Sequence, residues 1–286
     1  MLEPMPKRTA WIMISLAALT VAACGPSGTS ESAAASPRLY IFDCGAIDGV
    51  SPDSFGLKAE EIATPGFATP CYLVVHSRGT LMWDVGQIPD ANLKAAGETK
   101  QGAFTVTKAL LPQLAAAGYR PEQITYLAMS HYHGDHTANA NAFAGSTWLV
   151  QEVERNAMFG GDTGKFGTPE QYSQLKDAKT ELLHGDHDVF GDGTVVIKST
   201  PGHTQGHQSL FLKLANTGPI VLSGDLYHYP EERTLNRIPI IEASGEQTRA
   251  SREALEAFMQ QTGAKLWIQH DRAANAGLKQ APEFYD

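Results

Sequence analysis

The hydrophobic positions of the chain fall mainly into short runs, each bounded by glycine, proline or polar residues. Short apolar runs of this kind, rich in β-branched residues, are typical of buried strands. The predicted strands are 38–42, 71–75, 80–83, 124–129, 146–150, 194–197, 207–214, 220–222 and 265–268. Ser77-Arg78-Gly79 separates the second and third runs, which predicts a hairpin.

Helical spacing of apolar residues is confined to a few segments. Residues 103–117 carry Phe104 and several leucines on a helical period, and Gly118 ends the pattern. Ser244-Gly245-Glu246-Gln247 resembles a capping box and opens a second helix, which Gly263 closes. Its predicted inward residues are Ala250, Ala254, Leu255, Phe258 and Met259. A short helix is also predicted at 137–143.

Strand runs interrupted by helices, without a repeat period and without a GxGxxG motif, favour an α/β fold in which sheets pack on sheets and helices lie outside. Residues 44–69 are polar and glycine-rich, which predicts a long surface loop. Residues 151–177 have no clean period but combine large apolar residues with four glycines. This segment is either a mobile lid over a pocket or an ordinary packed insertion.

Composition places limits on function. The 286 residues are 42% hydrophobic, enough for a sizeable core, and the net charge is −9. Lysine and arginine are scattered, whereas a nucleic-acid partner normally requires a basic stripe. No nucleic-acid partner is therefore expected.

The N-terminus is typical of an exported lipoprotein. Lys7 and Arg8 precede an apolar stretch, and Val21-Ala22-Ala23-Cys24 resembles a lipobox. We expect residues 1–23 to be a signal peptide, residues 24–37 to be a flexible tether, and residues 38–286 to be a single folded domain. The only expected membrane contact is a lipid on Cys24, with the protein on the periplasmic side of the outer membrane. A plain secretory signal is the alternative.

Two cysteines remain after Cys24. Cys44 and Cys71 can pair in an oxidising compartment, or remain as two small buried thiols.

The candidate chemistry is concentrated after the strands. His131, His133, Asp135 and His136 lie within six residues directly after the run 124–129. Imidazole and carboxylate groups are ligands that suit zinc and related ions. Further acidic and imidazole residues also follow strand ends, namely Asp84, His203, Asp225 and His270. One edge of the sheets is expected to gather them. Without Asp84, the candidate ligands are His131, His133, Asp135, His136, His203, Asp225 and His270. Because one zinc ion usually takes four ligands, these seven suit two ions that share a carboxylate.

The pattern of these seven residues resembles that of the metallo-β-lactamase superfamily. The resemblance extends over residues 38–286. Within it the N-acyl-homoserine lactonase group is indicated by the motifs Leu39-Tyr40-Ile41-Phe42-Asp43-Cys44-Gly45, Thr200-Pro201-Gly202-His203-Thr204-Gln205-Gly206-His207-Gln208-Ser209 and His270-Asp271. The resemblance implies a four-layer αβ/βα sandwich and a dinuclear zinc hydrolase that opens the lactone ring of quorum-sensing signals.

The resemblance also implies a role for each residue. His131, His133 and His203 match the ligands of a first zinc ion. Asp135, His136 and His270 match those of a second, and Asp225 matches the bridging carboxylate that true β-lactamases of the superfamily lack. Asp84 matches an acid that orients the ligand loop, although a turn or helix cap is an equal alternative. A hydroxide between the ions would attack the lactone carbonyl, and Asp135 would pass the proton to the leaving alkoxide.

One position departs from the lactonase pattern. These enzymes often place a tyrosine three residues after the bridging aspartate, where this chain has His228 between Tyr227 and Tyr229. Either His228 takes the role of donor to the substrate, or the loop presents a tyrosine, or the substrate differs, or none of the three touches it.

Several alternatives stay open. The substrate is a lactone, another ester, a phosphotriester or a β-lactam. A further alternative is a lipid-tethered protein that binds metal without turnover. Manganese, iron and cobalt are alternatives to zinc, and the sequence leaves the oligomeric state open. Among the other histidines, His207 is expected to be structural, His184 and His187 to lie in turns, and His76 to be uninvolved.

Overall fold

The structure is a computed structural model that describes residues 1–7, 9 and 36–286. The strands are β1 (Arg38–Ile47), β2 (Phe67–His76), β3 (Gly79–Trp83), β4 (Thr99–Gln101), β5 (Phe104–Val106), β6 (Tyr126–Ala128), β7 (Thr147–Gln151), β8 (Thr180–Leu183), β9 (His187–Asp188), β10 (Val195–Ser199), β11 (Gln208–Leu214), β12 (Gly218–Leu222), β13 (Lys265–Trp267) and β14 (Phe284–Tyr285). The α-helices are α1 (Leu110–Ala116), α2 (Gly134–Thr137), α3 (Glu152–Gly160), α4 (Pro169–Tyr172), α5 (Pro230–Thr234), α6 (Gly245–Thr262) and α7 (Arg272–Ala276).

Two sheets are formed within residues 36–286. The first runs in the order β4-β5-β1-β2-β3-β6-β7-β8, with β14 also paired to β1, and the second in the order β13-β12-β11-β10-β9. β3 and β6 are parallel neighbours, as are β12 and β13. β10 has the same direction as β12 because each is antiparallel to β11. The carboxyl ends of these parallel strands therefore meet at one edge of their sheet.

The core lies on both faces of each sheet. On β1, Leu39 and Ile41 join the cluster between the two sheets, whereas Tyr40 and Phe42 join the cluster under α1 and α3. Alternate residues of a strand point to opposite faces, so β1 must be covered on both sides. On the second sheet, Phe211 packs with α6 through a separate cluster. The layers are helix, sheet, sheet and helix, which confirms the predicted αβ/βα sandwich.

Most predicted strands are confirmed, but the first half of the predicted helix at 103–117 is wrong. Phe104–Val106 is β5, which pairs with Ala46 and Ile47 at the far end of β1. Thr105 and Val106 are β-branched, and the extended β1 offers them a hydrogen-bonding partner. The helix keeps only its second half, α1. The region 44–69 is correspondingly shorter as a loop, because β1 runs to Ile47 and β2 begins at Phe67.

The segment 151–177 is a packed insertion rather than a lid. Its helices α3 and α4 contribute Met158 and Tyr172 to the buried core of the first sheet, where Leu175 joins them. Phe166 and Val153 are large apolar side chains of the segment that stay exposed. The alternative of a mobile lid is not what the structure shows.

Two further helix predictions need correction. On α6, Ser244 caps the first turn and Gly263 ends the helix as predicted, but Ala250 and Ala254 are exposed. Thr248, Ser251 and Arg252 are buried in their place, because each finds a polar partner inside the protein. The helix predicted at 137–143 instead begins earlier, as α2, and a separate 3-10 turn covers Ala140–Phe143.

Cys44 and Cys71 form a disulfide, the first of the two predicted alternatives. They lie on the antiparallel neighbours β1 and β2 with their Cα atoms 5.9 Å apart. The predicted lipobox, with most of the signal peptide and tether, lies outside the described residues. Among the residues that are described, no helix has both the length and the apolar character needed to cross a bilayer.

Candidate metal centre

The ligand loop leaves the first sheet at the end of β6. His133 has an extended backbone and stands directly before Gly134, where α2 begins. This change from extended to helical backbone lets His131, His133, Asp135 and His136 turn toward one point, which a continuing strand would not allow. The second sheet contributes the remaining residues from the ends of β10, β12 and β13, which precede His203, Asp225 and His270.

All seven predicted ligands come together as two groups that share one residue. The first group is His131, His133, His203 and Asp225, and the second is Asp135, His136, His270 and Asp225. In each group the potential ligand atoms lie within 4.8 Å of one another. Four side chains of nitrogen and oxygen donors at such spacing are typical of a zinc site.

Asp225 presents one oxygen to each group. Its Oδ1 lies 3.2 Å from His136 Nε2 and 3.0 Å from His270 Nε2. Its Oδ2 lies 3.7 Å from His131 Nε2 and 3.4 Å from His203 Nε2. This is the arrangement expected of a carboxylate that bridges two ions.

The spacing of the donor atoms suits metal coordination better than hydrogen bonding among the side chains. Tetrahedral ligands at zinc-like bond lengths are about 3.3 Å apart, close to the separations around Asp225. His131 Nε2, His136 Nε2 and Asp225 Oδ1 are buried and have no hydrogen-bond partner. Burial lowers the pKa of His131 and of His133, which favours the neutral imidazole that binds metal. Unpaired buried donors are costly unless an ion satisfies them.

Asp84 supports the second group from behind. Its Oδ2 lies 2.9 Å from His136 Nδ1, and it accepts hydrogen bonds from the Ser130 hydroxyl and the Gln269 amide. Its Oδ1 accepts the backbone N–H of Ser130 at 2.6 Å. A turn or helix cap does not account for these contacts, which orient a ligand histidine and brace the loop that carries it.

Other ligands are also held through their second ring nitrogen. His203 Nδ1 lies 3.0 Å from Glu242, whose other oxygen accepts from Thr248. His270 Nδ1 donates to the Ala68 carbonyl at 2.7 Å. These contacts fix the ring orientations. No sequence spacing points to Glu242, because its partner lies far away in the chain.

Glu154 is a second carboxylate that the sequence did not reveal. From α3 it accepts the Tyr132 N–H at 2.9 Å, the Thr204 hydroxyl at 2.8 Å and the Gly206 N–H at 2.7 Å. Burial raises the pKa of Glu154 to about 7, although these donors oppose the shift. The side chain ties the two ligand loops to each other, one from each sheet.

Among Tyr227, His228 and Tyr229, where the sequence differs from the lactonase pattern, His228 faces the centre. Its Nε2 lies 3.2 Å from Asp225 Oδ2 and its Nδ1 lies 3.3 Å from Glu232. Burial acts to lower the pKa of His228, but Glu232 and Asp225 outweigh it and raise the pKa to about 10. Tyr227 points away, because its hydroxyl donates to Glu256 on α6. Tyr229 packs between Phe55 and Phe67.

The remaining histidines lie outside the two groups. His207 is buried behind the centre, where its Nε2 accepts the Asp225 N–H, and burial lowers its pKa to about 3. His76 lies 2.9 Å from Asp192 and stacks on Phe190. His184 is exposed, and His187 lies in β9 rather than in a turn.

The ligands differ in exposure. The Asp135 side chain is 15% exposed, whereas His131, His136, His203, Asp225 and His270 are almost completely buried. Phe166, 38% exposed, lies against His133 with 4.8 Å between ring centroids. The accessible side of the centre is therefore bordered by Asp135 and Phe166.

Comparisons with known proteins agree with this geometry. The family profile of the metallo-beta-lactamase superfamily matches residues 64–270. N-acyl homoserine lactonase AttM of Rhizobium radiobacter is 30% identical over 227 residues, which cover 76% of this chain and 86% of the relative. The protein of the same name from Rhizobium johnstonii is 29% identical over the same shares of both chains.

A solved structure supports the fold. It is an N-acyl homoserine lactone hydrolase with the product N-hexanoyl-L-homoserine bound at its catalytic metal centre. It aligns with a TM-score of 0.72 and 23% identity, over 87% of this chain and 99% of its own. The sequence match, the sandwich and the two His/Asp groups agree, and the chain belongs to the metallo-β-lactamase superfamily, in its N-acyl homoserine lactonase-like group.

Proposed function

We propose that the protein is a dinuclear zinc hydrolase that opens the lactone ring of N-acyl homoserine lactones. The observation that carries the proposal is the position of Asp225, with one oxygen turned to each of two groups of buried imidazoles. The names of the relatives support the substrate class. Two zinc ions, when bound, lower the pKa of water and polarise a carbonyl oxygen.

The chain's own residues would then guide the hydrolysis. One water supplies both groups: its hydroxyl joins the carbonyl carbon, the ring C–O bond breaks, and its proton passes to the ring oxygen. Asp135 is more accessible than Asp225, the other carboxylate of the centre, and we assign it the transfer of that proton. His228 faces Asp225 through Nε2, and we assign it the stabilisation of the negative charge that develops on the carbonyl oxygen.

The test combines metal analysis with a substrate panel. The panel contains a short-chain and a long-chain N-acyl homoserine lactone, an aryl phosphotriester and a cephalosporin. We expect two zinc ions per chain and turnover of the lactones above the other classes. If the protein binds two zinc ions but hydrolyses the phosphotriester or the cephalosporin faster, the lactone assignment is wrong and the alternative substrate class is supported.

A pair of variants tests the metal assignment. His133→Gln removes a ligand and is expected to lose bound zinc together with lactone hydrolysis. His76→Gln is the matched control, since His76 is also buried but lies beside Asp192 and Phe190. Full zinc content and full activity in His133→Gln would contradict the proposed centre.

We also propose that the chain is exported and held on the periplasmic side of the outer membrane by lipid on Cys24. The support is the residue pattern before Cys24. Labelled palmitate should enter the wild type and not Cys24→Ala. Equal labelling of both would contradict the anchor.

A further inference from the structure

Phe166 is a large apolar side chain exposed beside the candidate metal centre. It is 38% exposed, and its ring centroid lies 4.8 Å from that of His133. Single exposed hydrophobic residues are ordinary on protein surfaces, so exposure alone carries no argument. What distinguishes Phe166 is its contact with the imidazole of His133 on the accessible side of the centre.

The backbone holds Phe166 in place. Its carbonyl accepts the Gly134 N–H at 3.1 Å, and Gly167 forms an antiparallel bridge with His133. A Cβ atom at Gly134 would lie 2.9 Å from Thr168 Cγ2, so glycine is needed for this close approach. The segment that carries Phe166 is therefore attached directly to the ligand loop and keeps a constant position relative to the centre.

The outer surface of Phe166 is apolar and accessible. The Lys165 ammonium lies 4.9 Å from the ring centroid, but Lys165 is itself exposed and its flexible stem lets it move aside. Phe166 borders the first group at His133, whereas Asp135, which serves the leaving oxygen, belongs to the second. A substrate with its carbonyl over Asp225 would extend one part past Phe166 and the other past Asp135.

From this arrangement we infer that Phe166 is a specificity-determining residue that contacts the apolar acyl chain of the substrate while the lactone ring lies toward Asp135. The inference rests on the proposed function and adds an orientation to it. Covering the exposed part of an aromatic ring contributes about a tenfold gain in affinity. The gain is available only to chains long enough to reach the ring.

The experiment measures kcat and KM for N-butyryl, N-hexanoyl and N-decanoyl homoserine lactone. Phe166→Ala should raise KM for the decanoyl substrate about tenfold, with kcat unchanged, and alter the butyryl values less than twofold. Phe166→Leu should lie between. Leu182→Ala is the matched control, because Leu182 is 42% exposed on β8. Zinc content should be equal in all four proteins.

Calorimetry with N-decanoyl-homoserine, the ring-opened product, gives a readout independent of turnover. Its dissociation constant should rise about tenfold in zinc-loaded Phe166→Ala. An equal loss for all chain lengths, or unchanged decanoyl binding, would overturn the inference. If the wild type hydrolyses no lactone, the proposed function fails, and the calorimetric comparison still decides the role of Phe166.

Discussion

The two halves of the candidate metal centre each have one histidine held by a buried carboxylate, but they differ at His133. In the second half, His136 rests on Asp84, which also binds Ser130 from the first sheet and Gln269 from the second. In the first half, His133 turns Nδ1 inward to within 3.1 Å of His203 Nε2, and its outer face meets Phe166. Within residues 36–286, no side chain hydrogen-bonds the remaining nitrogen of His133.

The difference indicates a division of labour. A ring locked by a buried carboxylate holds an ion in constant geometry, whereas a ring that meets an exposed aromatic residue can also border a substrate. Asp225, common to both halves, couples them. Variants that damage one half, both halves or their connection should therefore give separable results.

The largest effect is expected from the shared carboxylate. Asp225→Asn turns an amide NH2 group toward one half and removes the negative charge that both halves share, so both ions should bind at least about 100-fold more weakly. Competition with a chromophoric chelator measures both constants. Asp192→Asn, beside His76, serves as the control. Loss of a single ion from Asp225→Asn would show that the two groups do not share this residue.

The next effect separates the halves. Asp84→Asn should weaken one zinc constant by about 10–100-fold through His136, and Glu242→Gln should weaken the other through His203. The double variant should lose on both constants. If either single variant weakens zinc binding equally at both sites, the two halves do not act separately.

Glu154 sharpens the comparison because it braces loops rather than a ring. Glu154→Gln replaces one oxygen by a donor that faces the N–H of Tyr132 or Gly206. We expect about a tenfold loss of zinc affinity in the first half, and a loss of about 1–3 kcal/mol in the free energy of unfolding. Chelator competition and urea unfolding measure these. An unchanged zinc constant would restrict Glu154 to stability alone.

The smallest effect concerns His207, which supports Asp225 from behind. Burial lowers its pKa to about 3 from the ordinary 6.5. The unfolded chain therefore takes up a proton first, and stability present above pH 6.5 is lost as the pH falls toward 3. The loss is about 1.4 kcal/mol by about pH 5.5. In the metal-free His207→Gln variant, this part of the pH dependence should disappear. Urea unfolding above pH 6.5 and at about pH 5.5 measures the loss in the free energy of unfolding. An equal loss in the variant and the wild type would contradict the prediction.

Much of the centre follows from the sequence because its ligands are local in pattern. Each ligand follows an apolar run that forms a strand, and a strand's end is readable from the residues that bound it. Asp225 and the six residues that meet around it are those the sequence predicts. The capped helix α6 is likewise a local feature, because Ser244 and Gly263 act within a turn of its ends.

Contacts between residues distant in the chain were decided only by the tertiary structure. The order of the strands brings Asp84 to His136 and α3 carries Glu154 to both ligand loops. The edge offered by β1 made a strand of Phe104–Val106, and packing turned a glycine-rich segment into an insertion that leaves Phe166 beside His133. Hydrophobic period and turn residues specify short elements, but the partner of a buried polar group depends on which elements pack together.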